Sequence, residues 1–250
     1  MANVVHINDN LVLVGGESKG GKTTSLHGLE NPEGVMYLNC EANKKITFPA
    51  KFQQFSITDP HQVYEGFTYA EKTGNFHTIV IDTLTFMMEM FHSLFIHNAK
   101  DGMAGWAQYQ FFFKKLMQDY VAKAKVNVIF LAHVQSIMNE QAMVMEKKVP
   151  IQGALAKNGI EAYFSTIVSA RRMPVAQLVD YQNDLLVITD EEELLGYKHV
   201  YQTKLTKDTV NERISASMGM WDMKETFIDN NAQLLLNRLH EYYGTGAIAT

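Results

Sequence analysis

A short run near the start of the chain has the residue types and spacing needed to hold phosphate. Gly16-Glu17-Ser18-Lys19-Gly20-Gly21-Lys22-Thr23 fits G-x-x-x-x-G-K-[ST]. It follows an apolar run at 11–14 and precedes a segment, 22–29, whose pattern predicts a helix. Glycines let successive backbone N–H groups turn inward around phosphate oxygens. A helix starting near Lys22 would add its positive end. The Lys22 ammonium can reach β- and γ-phosphates, and the Thr23 hydroxyl can ligate Mg²⁺. The binding set is therefore Gly16, Glu17, Ser18, Lys19, Gly20, Gly21, Lys22, Thr23 and Thr24, and the implied ligands are ATP and Mg²⁺. The bland alternative is a glycine-rich turn with an exposed lysine, which the strand before and the helix after argue against.

Three further polar residues sit at the ends of apolar runs. Thr78-Ile79-Val80-Ile81 delivers Asp82 to a strand's carboxyl end, beside the metal position of Thr23. A helix cap is the competing role for Asp82. Glu41 stands just past Val35-Met36-Tyr37-Leu38-Asn39, where a carboxylate can orient and polarise an attacking water. Its alternative is a surface glutamate opening a loop. His133 ends Val128-Ile129-Phe130-Leu131-Ala132, next to the phosphate site or satisfied by local backbone.

These residues need a scaffold that gathers strand ends. Runs at 11–14, 35–39, 78–81, 126–132 and 165–170 are continuously apolar, as parallel strands covered on both faces require. Helical patterns at 22–29, 61–71, 84–98 and 106–124 lie between them. That alternation predicts an α/β fold: a mostly parallel sheet flanked by helices. Runs at 185–189 and 199–205 read as antiparallel additions, 232–243 as a closing helix and 244–250 as a loose tail. The expected organisation is one domain over 1–250, with a core at about 11–172 and C-terminal strands and helix at 173–243. At 250 residues, 46% apolar and 20% charged, the chain can bury such a core without staples. Cys40 is its one cysteine, so no internal disulfide or zinc ribbon exists. No leader pattern opens the chain, and no apolar run approaches the ~20 residues of a spanning helix. The expectation is a cytoplasmic protein with no membrane partner. A net charge of −5 confines any nucleic-acid site to a local patch.

Together the loop, Asp82, Glu41 and His133 resemble the RecA-like P-loop ATPases, and among them the phage-encoded group used in single-strand annealing and recombination. The resemblance covers roughly 11–172, including Trp106 and Tyr109 and the run Lys157-Asn158-Gly159-Ile160-Glu161. It implies that Glu41 activates water, that Lys22 and His133 complete the catalytic set, and that His133 senses the γ-phosphate. The loop at 135–158 would then contact DNA through Lys147, Lys148 and Lys157, with Met138, Met143 and Met145 meeting bases. A cation donated by a neighbouring subunit would be Lys204 or Lys207, with Arg213 or Arg171-Arg172 as alternatives. Implied partners are single-stranded DNA, further copies of the chain in a ring or filament with ATP at the interfaces, and a single-stranded-DNA-binding protein. The implied compartment is the bacterial host cytoplasm.

The chain also departs from relatives. Few residues precede the phosphate loop, so the N-terminal assembly domain of full recombinases is not expected, nor is an attached helicase module. Glu17 stands where partition-type ATPases carry a second lysine. A RecA-like helicase loader or regulatory ATPase acting through protein partners is the second reading. A small-molecule kinase is discounted because no arginine-rich lid appears. The acidic block of Asp184 and Asp190-Glu191-Glu192-Glu193 reads as a solvated face.

Overall fold

The computed structural model describes residues 8–97, 101–140 and 142–244. The expected helix end at Asn98 and the tail at 245–250 lie outside these residues, as does most of the segment read for a leader. The strands are β1 Leu11–Gly16, β2 Val35–Asn39, β3 Gln53–Ser56, β4 Thr78–Asp82, β5 Asn127–His133, β6 Gln135–Asn139, β7 Val144–Lys148, β8 Thr166–Pro174, β9 Tyr197–Gln202 and β10 Phe227–Asp229. The helices are α1 Gln62–Thr73, α2 Leu84–Phe91, α3 Gly102–Lys115, α4 Leu155–Asn158, α5 Val175–Leu178, α6 Asp190–Leu195 and α7 Ala232–Tyr243.

Eight strands form one sheet in the order β10-β9-β8-β1-β5-β4-β2-β3. From β8 to β3 every pairing is parallel, and β9 and β10 add antiparallel pairings at one edge. The expected α/β class, a RecA-like P-loop core with antiparallel additions toward the C-terminus, is the one found. Strand β5 lies between β1 and β4, so the carboxyl ends of all three lie side by side at one end of the sheet.

Alternate residues of the central strands feed two separate cores, as the two-residue period of a strand dictates. Leu13, Met36, Leu38, Ile79, Ile81, Val128 and Phe130 pack with residues of α1, α2 and α3. Val12, Val14, Tyr37, Val80, Ile129 and Leu131 face the other way, against Leu26, Trp221 and the Leu235, Leu236 and Leu239 stripe of α7. Trp106 and Tyr109 are core aromatics of the first face, with ring centroids 5.6 Å apart.

Several expected elements differ. The helix at 22–29 is instead a 3₁₀ turn, Thr24–Gly28. The chain must reverse at Asn31-Pro32 before β2, leaving too little length for several α turns, and short helical pieces tighten to 3₁₀. The Ser25 hydroxyl also bonds the Lys22 carbonyl, offering the backbone a non-helical partner. No α-helix dipole therefore stands behind the phosphate loop. Residues 185–189 form no strand; Leu185 lies in a turn, and its carbonyl accepts from Asp229 N–H of β10. The late strand at 199–205 is shifted to β9, which leaves Lys204 and Lys207 beyond its end.

The expected irregular loop at 135–158 is largely ordered. It folds as an antiparallel hairpin, β6–β7, with Ser136 opposite Lys147 and Met138 opposite Met145, followed by the single turn α4. Met143 takes a left-handed φ of 54° in its connection. A later segment pins the hairpin: Lys147 N–H donates to Asn211 and Arg213 N–H to Lys147. Strands β3 and β10 were unexpected. Both are short edge strands: β3 is exposed throughout, and β10 has only Phe227 and Ile228 as consecutive apolar residues, too short a run to stand out.

Candidate functional site

Parallel register brings the candidate residues together. Gly16 at the end of β1 pairs with His133 at the end of β5, and Asp82 at the end of β4 pairs with Asn39 at the end of β2. Glu41 follows Asn39 in a turn held by two bonds from that residue. The Asn39 carboxamide oxygen accepts from Glu41 N–H at 2.9 Å, and its amide donates to the Lys44 carbonyl at 2.9 Å. Ala42 and Asn43 adopt positive φ between them.

Lys22 folds back over its own loop. Its Nζ donates to the Gly16 and Glu17 carbonyls at 3.0 and 2.9 Å and lies 3.4 Å from His133 Nδ1. Burial pushes its pKa down to about 8, against the opposing pull of the Asp82 and Glu41 charges. His133 bridges to the other side, with Nε2 at 3.2 Å from Glu41 Oε1. Both contacts are satisfied when Nδ1 accepts from the ammonium and Nε2 donates to the carboxylate. The His133 backbone is fixed in turn by the Thr85 hydroxyl at 2.9 Å. Lys44 Nζ caps the other Glu41 oxygen at 2.5 Å. Burial alone would raise the Glu41 carboxyl; bonds from His133 and Lys44 outweigh it and hold the group at about 2.

Asp82 is almost fully buried. Its Oδ2 accepts from the Thr23 hydroxyl at 2.8 Å and the Tyr37 hydroxyl at 2.6 Å. Its Oδ1 is buried and has no hydrogen-bond partner. Burial pushes this carboxyl above its ordinary range, opposed by the two hydroxyl donors and Lys22. An orphaned carboxylate oxygen beside a loop threonine suits a hard divalent cation, so the residues present fit Mg²⁺ held through Thr23 and Asp82.

The loop itself leaves no room for side chains at two glycines. A Cβ on Gly16 or Gly20 would meet the Ala170 carbonyl at 2.6 or 2.7 Å. The C-terminal segment clamps the loop from outside. Asn230 Nδ2 donates to the Gly21 carbonyl at 2.9 Å, His199 Nε2 lies 3.4 Å from the Lys19 carbonyl, and the Tyr201 hydroxyl donates to Ser25. Ser18 is exposed, and Thr24 bonds Thr47 at 3.1 Å.

The cations named from sequence fall in different places. Lys147 pairs with Glu17 of the phosphate loop at 2.8 Å and lies 3.8 Å from Glu212, which also binds Arg171. Lys148 lies 3.6 Å from Glu146, and Lys157 is exposed on α4. A cleft of about 250 Å³ between loop, hairpin and β8 is lined by Ser18, Lys19, Lys147, Ser169, Arg171 and Arg172. Lys204 turns inward to the Trp221 carbonyl at 3.1 Å, Lys207 is exposed, and Arg213 binds Glu146 at 2.8 Å. The acidic block from Asp190 forms α6, whose first turn carries a Thr189–Glu192 capping box.

Sequence reasoning missed Tyr37, Lys44, Thr85 and Asn230. Tyr37 faces the same side as Asp82 because it pairs with Val80, two residues earlier on β4. The period of two would have revealed this only with the register known. No helix among the described residues is long and apolar enough to cross a membrane. No curated protein matches the chain. The AAA domain family matches residues 8–210. The phosphate loop, the order of the sheet and this match over most of the chain give one conclusion: the protein belongs to the AAA domain family of P-loop nucleotide-binding ATPases.

Proposed function

We propose that this chain is an ATP-hydrolysing RecA-like protein of phage DNA recombination, which holds single-stranded DNA and promotes annealing or pairing as an oligomer. One observation carries the reading: the β6–β7 hairpin leaves the sheet directly after His133, and its Lys147 bonds Glu17 of the phosphate loop. Nucleotide and hairpin thus share two physical links, one through a strand end and one through an ion pair.

In this reading Lys22 and the loop N–H groups hold the β- and γ-phosphates of ATP, and Thr23 and Asp82 hold Mg²⁺. The chemistry such a cation supplies is neutralisation of charge across phosphate oxygens. Glu41 orients the attacking water, ionised and aimed by His133 and Lys44. His133, touching both Lys22 and Glu41, registers the γ-phosphate and passes the change to the hairpin. The exposed methionines Met138, Met143 and Met145 supply adaptable apolar contact to bases. Of the cations for a neighbour's site, Lys207 is exposed, Arg213 is exposed but pairs with Glu146, and Lys204 is bonded inward to the Trp221 carbonyl.

The pairing of Lys147 and Lys148 with carboxylates favours a second reading, a RecA-like loader or regulatory ATPase acting mainly through protein partners. ATP hydrolysis with Mg²⁺, with and without single-stranded DNA, separates the two. Stimulation by DNA, abolished by Lys22→Ala and by Glu41→Gln, is the expected result. Hydrolysis indifferent to DNA would favour the second reading. Absence of both ATP binding and hydrolysis in the wild type would refute both.

A further inference from the structure

Both hydroxyl donors to Asp82 use the same oxygen. Thr23 and Tyr37 converge on Oδ2 at 2.8 and 2.6 Å, while the buried Oδ1 accepts no hydrogen bond. The two donors differ in origin. Thr23 belongs to the phosphate loop and is half-buried. Tyr37 belongs to β2, is 2% exposed and stacks on Phe52 with centroids 6.3 Å apart. Its ring is fixed by the sheet and the core, so its hydroxyl has one place to go. A carboxylate held by a single donor can swing about its Cβ–Cγ bond. A second donor from a rigid strand fixes the plane and decides which oxygen is left over.

We propose that Tyr37 is a positioning residue that holds Asp82 by Oδ2 and so reserves Oδ1 for a divalent cation arriving with the nucleotide. This rests on the nucleotide-site reading above. The Tyr37 hydroxyl bonds Asp82, and its role here is exerted through that carboxylate. The tyrosine ring also fills core space, a role that phenylalanine retains, so the hydroxyl is separable from the packing.

The test is equilibrium binding of a fluorescent ATP analogue to wild type and Tyr37→Phe, first in EDTA and then across a Mg²⁺ titration. In EDTA the two should bind alike, because Asp82 then has no cation to meet. With Mg²⁺, the concentration giving half of the affinity gain should rise roughly tenfold in Tyr37→Phe, the scale of one lost hydrogen bond to a charged group. In an Asp82→Asn background the same substitution should shift nothing further. An unshifted Mg²⁺ midpoint, or an undiminished effect in the Asp82→Asn background, overturns the role of Tyr37. A wild type whose nucleotide affinity ignores Mg²⁺ overturns the nucleotide-site reading itself, and this inference with it.

Discussion

Replacing Glu41 by glutamine removes the negative charge and leaves one oxygen acceptor, which can serve His133 or Lys44 but not both. If Glu41 polarises the attacking water, the turnover rate should fall by about 10²–10⁴-fold, the usual contribution of a positioned general base. That corresponds to about 3–5 kcal/mol in the barrier. Nucleotide affinity should change little, since Glu41 contacts neither Thr23 nor Asp82 within hydrogen-bond range. The environment makes a sharper statement about pH. Burial favours the protonated acid, yet bonds from His133 and Lys44 hold the carboxyl at about 2 instead of its ordinary 4.5. A carboxyl depressed in this way stays ionised above that value, and its contribution is lost only as pH falls through about 2. Wild-type hydrolysis should therefore show no acid limb from Glu41 between about pH 5 and 8.

Lys44→Ala removes one of the two restraining bonds and should move that limb upward. Adding His133→Ala removes the other, leaving burial unopposed, so the limb should pass above the ordinary 4.5. Steady-state hydrolysis measured from about pH 4.5 to 8, as the ratio of variant to wild-type rate, cancels titration of the nucleotide itself. An acid limb in the double variant that is absent from the wild type is the expected result. A flat ratio, or full turnover by Glu41→Gln, would show that this carboxylate does not activate water.

Two further outcomes follow from the same geometry. Burial leaves Lys22 with a pKa of about 8, and only the protonated ammonium attracts phosphate, so nucleotide affinity should be flat below that value and fall as pH rises through it. The slope should reach at most about tenfold per pH unit; binding isotherms unchanged to about pH 9.5 would contradict the buried placement of this lysine. Gly21 has φ of +98°, and a Cβ there would stand 2.7 Å from Asn230 Nδ2. Gly21→Ala should cost about 2 kcal/mol in urea unfolding, from backbone strain plus that clash, and Asn230→Ala should relieve only the clash part; a cost under about 0.5 kcal/mol would mean the loop does not hold this conformation.

Much of the scaffold is written in local pattern. The parallel strands are legible because both of their faces are buried, which demands uninterrupted apolar runs such as Val12-Leu13-Val14 and Ile79-Val80-Ile81. The phosphate loop is legible because glycine is needed where backbone crowds backbone, as Gly16 and Gly20 do against Ala170. The hairpin was not legible as structure. Its strands, Gln135-Ser136-Ile137-Met138-Asn139 and Val144-Met145-Glu146-Lys147-Lys148, lack a continuous apolar run or a clean alternation, as a mobile loop does, and the hairpin is pinned by Asn211 and Arg213, far away in sequence. The 3₁₀ turn after the loop was also hidden, because the helical pattern at 22–29 says nothing of the reversal that shortens it.

The sequence alone determined which side chains end up at strand ends: Lys22 and Thr23 after β1, Glu41 after β2, Asp82 on β4 and His133 on β5. Tertiary structure alone decided which of them touch. His133 meets Lys22 across 111 residues of chain and Glu41 across 92, and Tyr37 reaches Asp82 across 45. The physical reason is that strand type follows from a residue and its near neighbours, whereas strand order and register follow from how two cores close on opposite faces of one sheet. A hydroxyl that must find a carboxylate on the neighbouring strand is placed by that closure, and nothing within a few residues of Tyr37 records it.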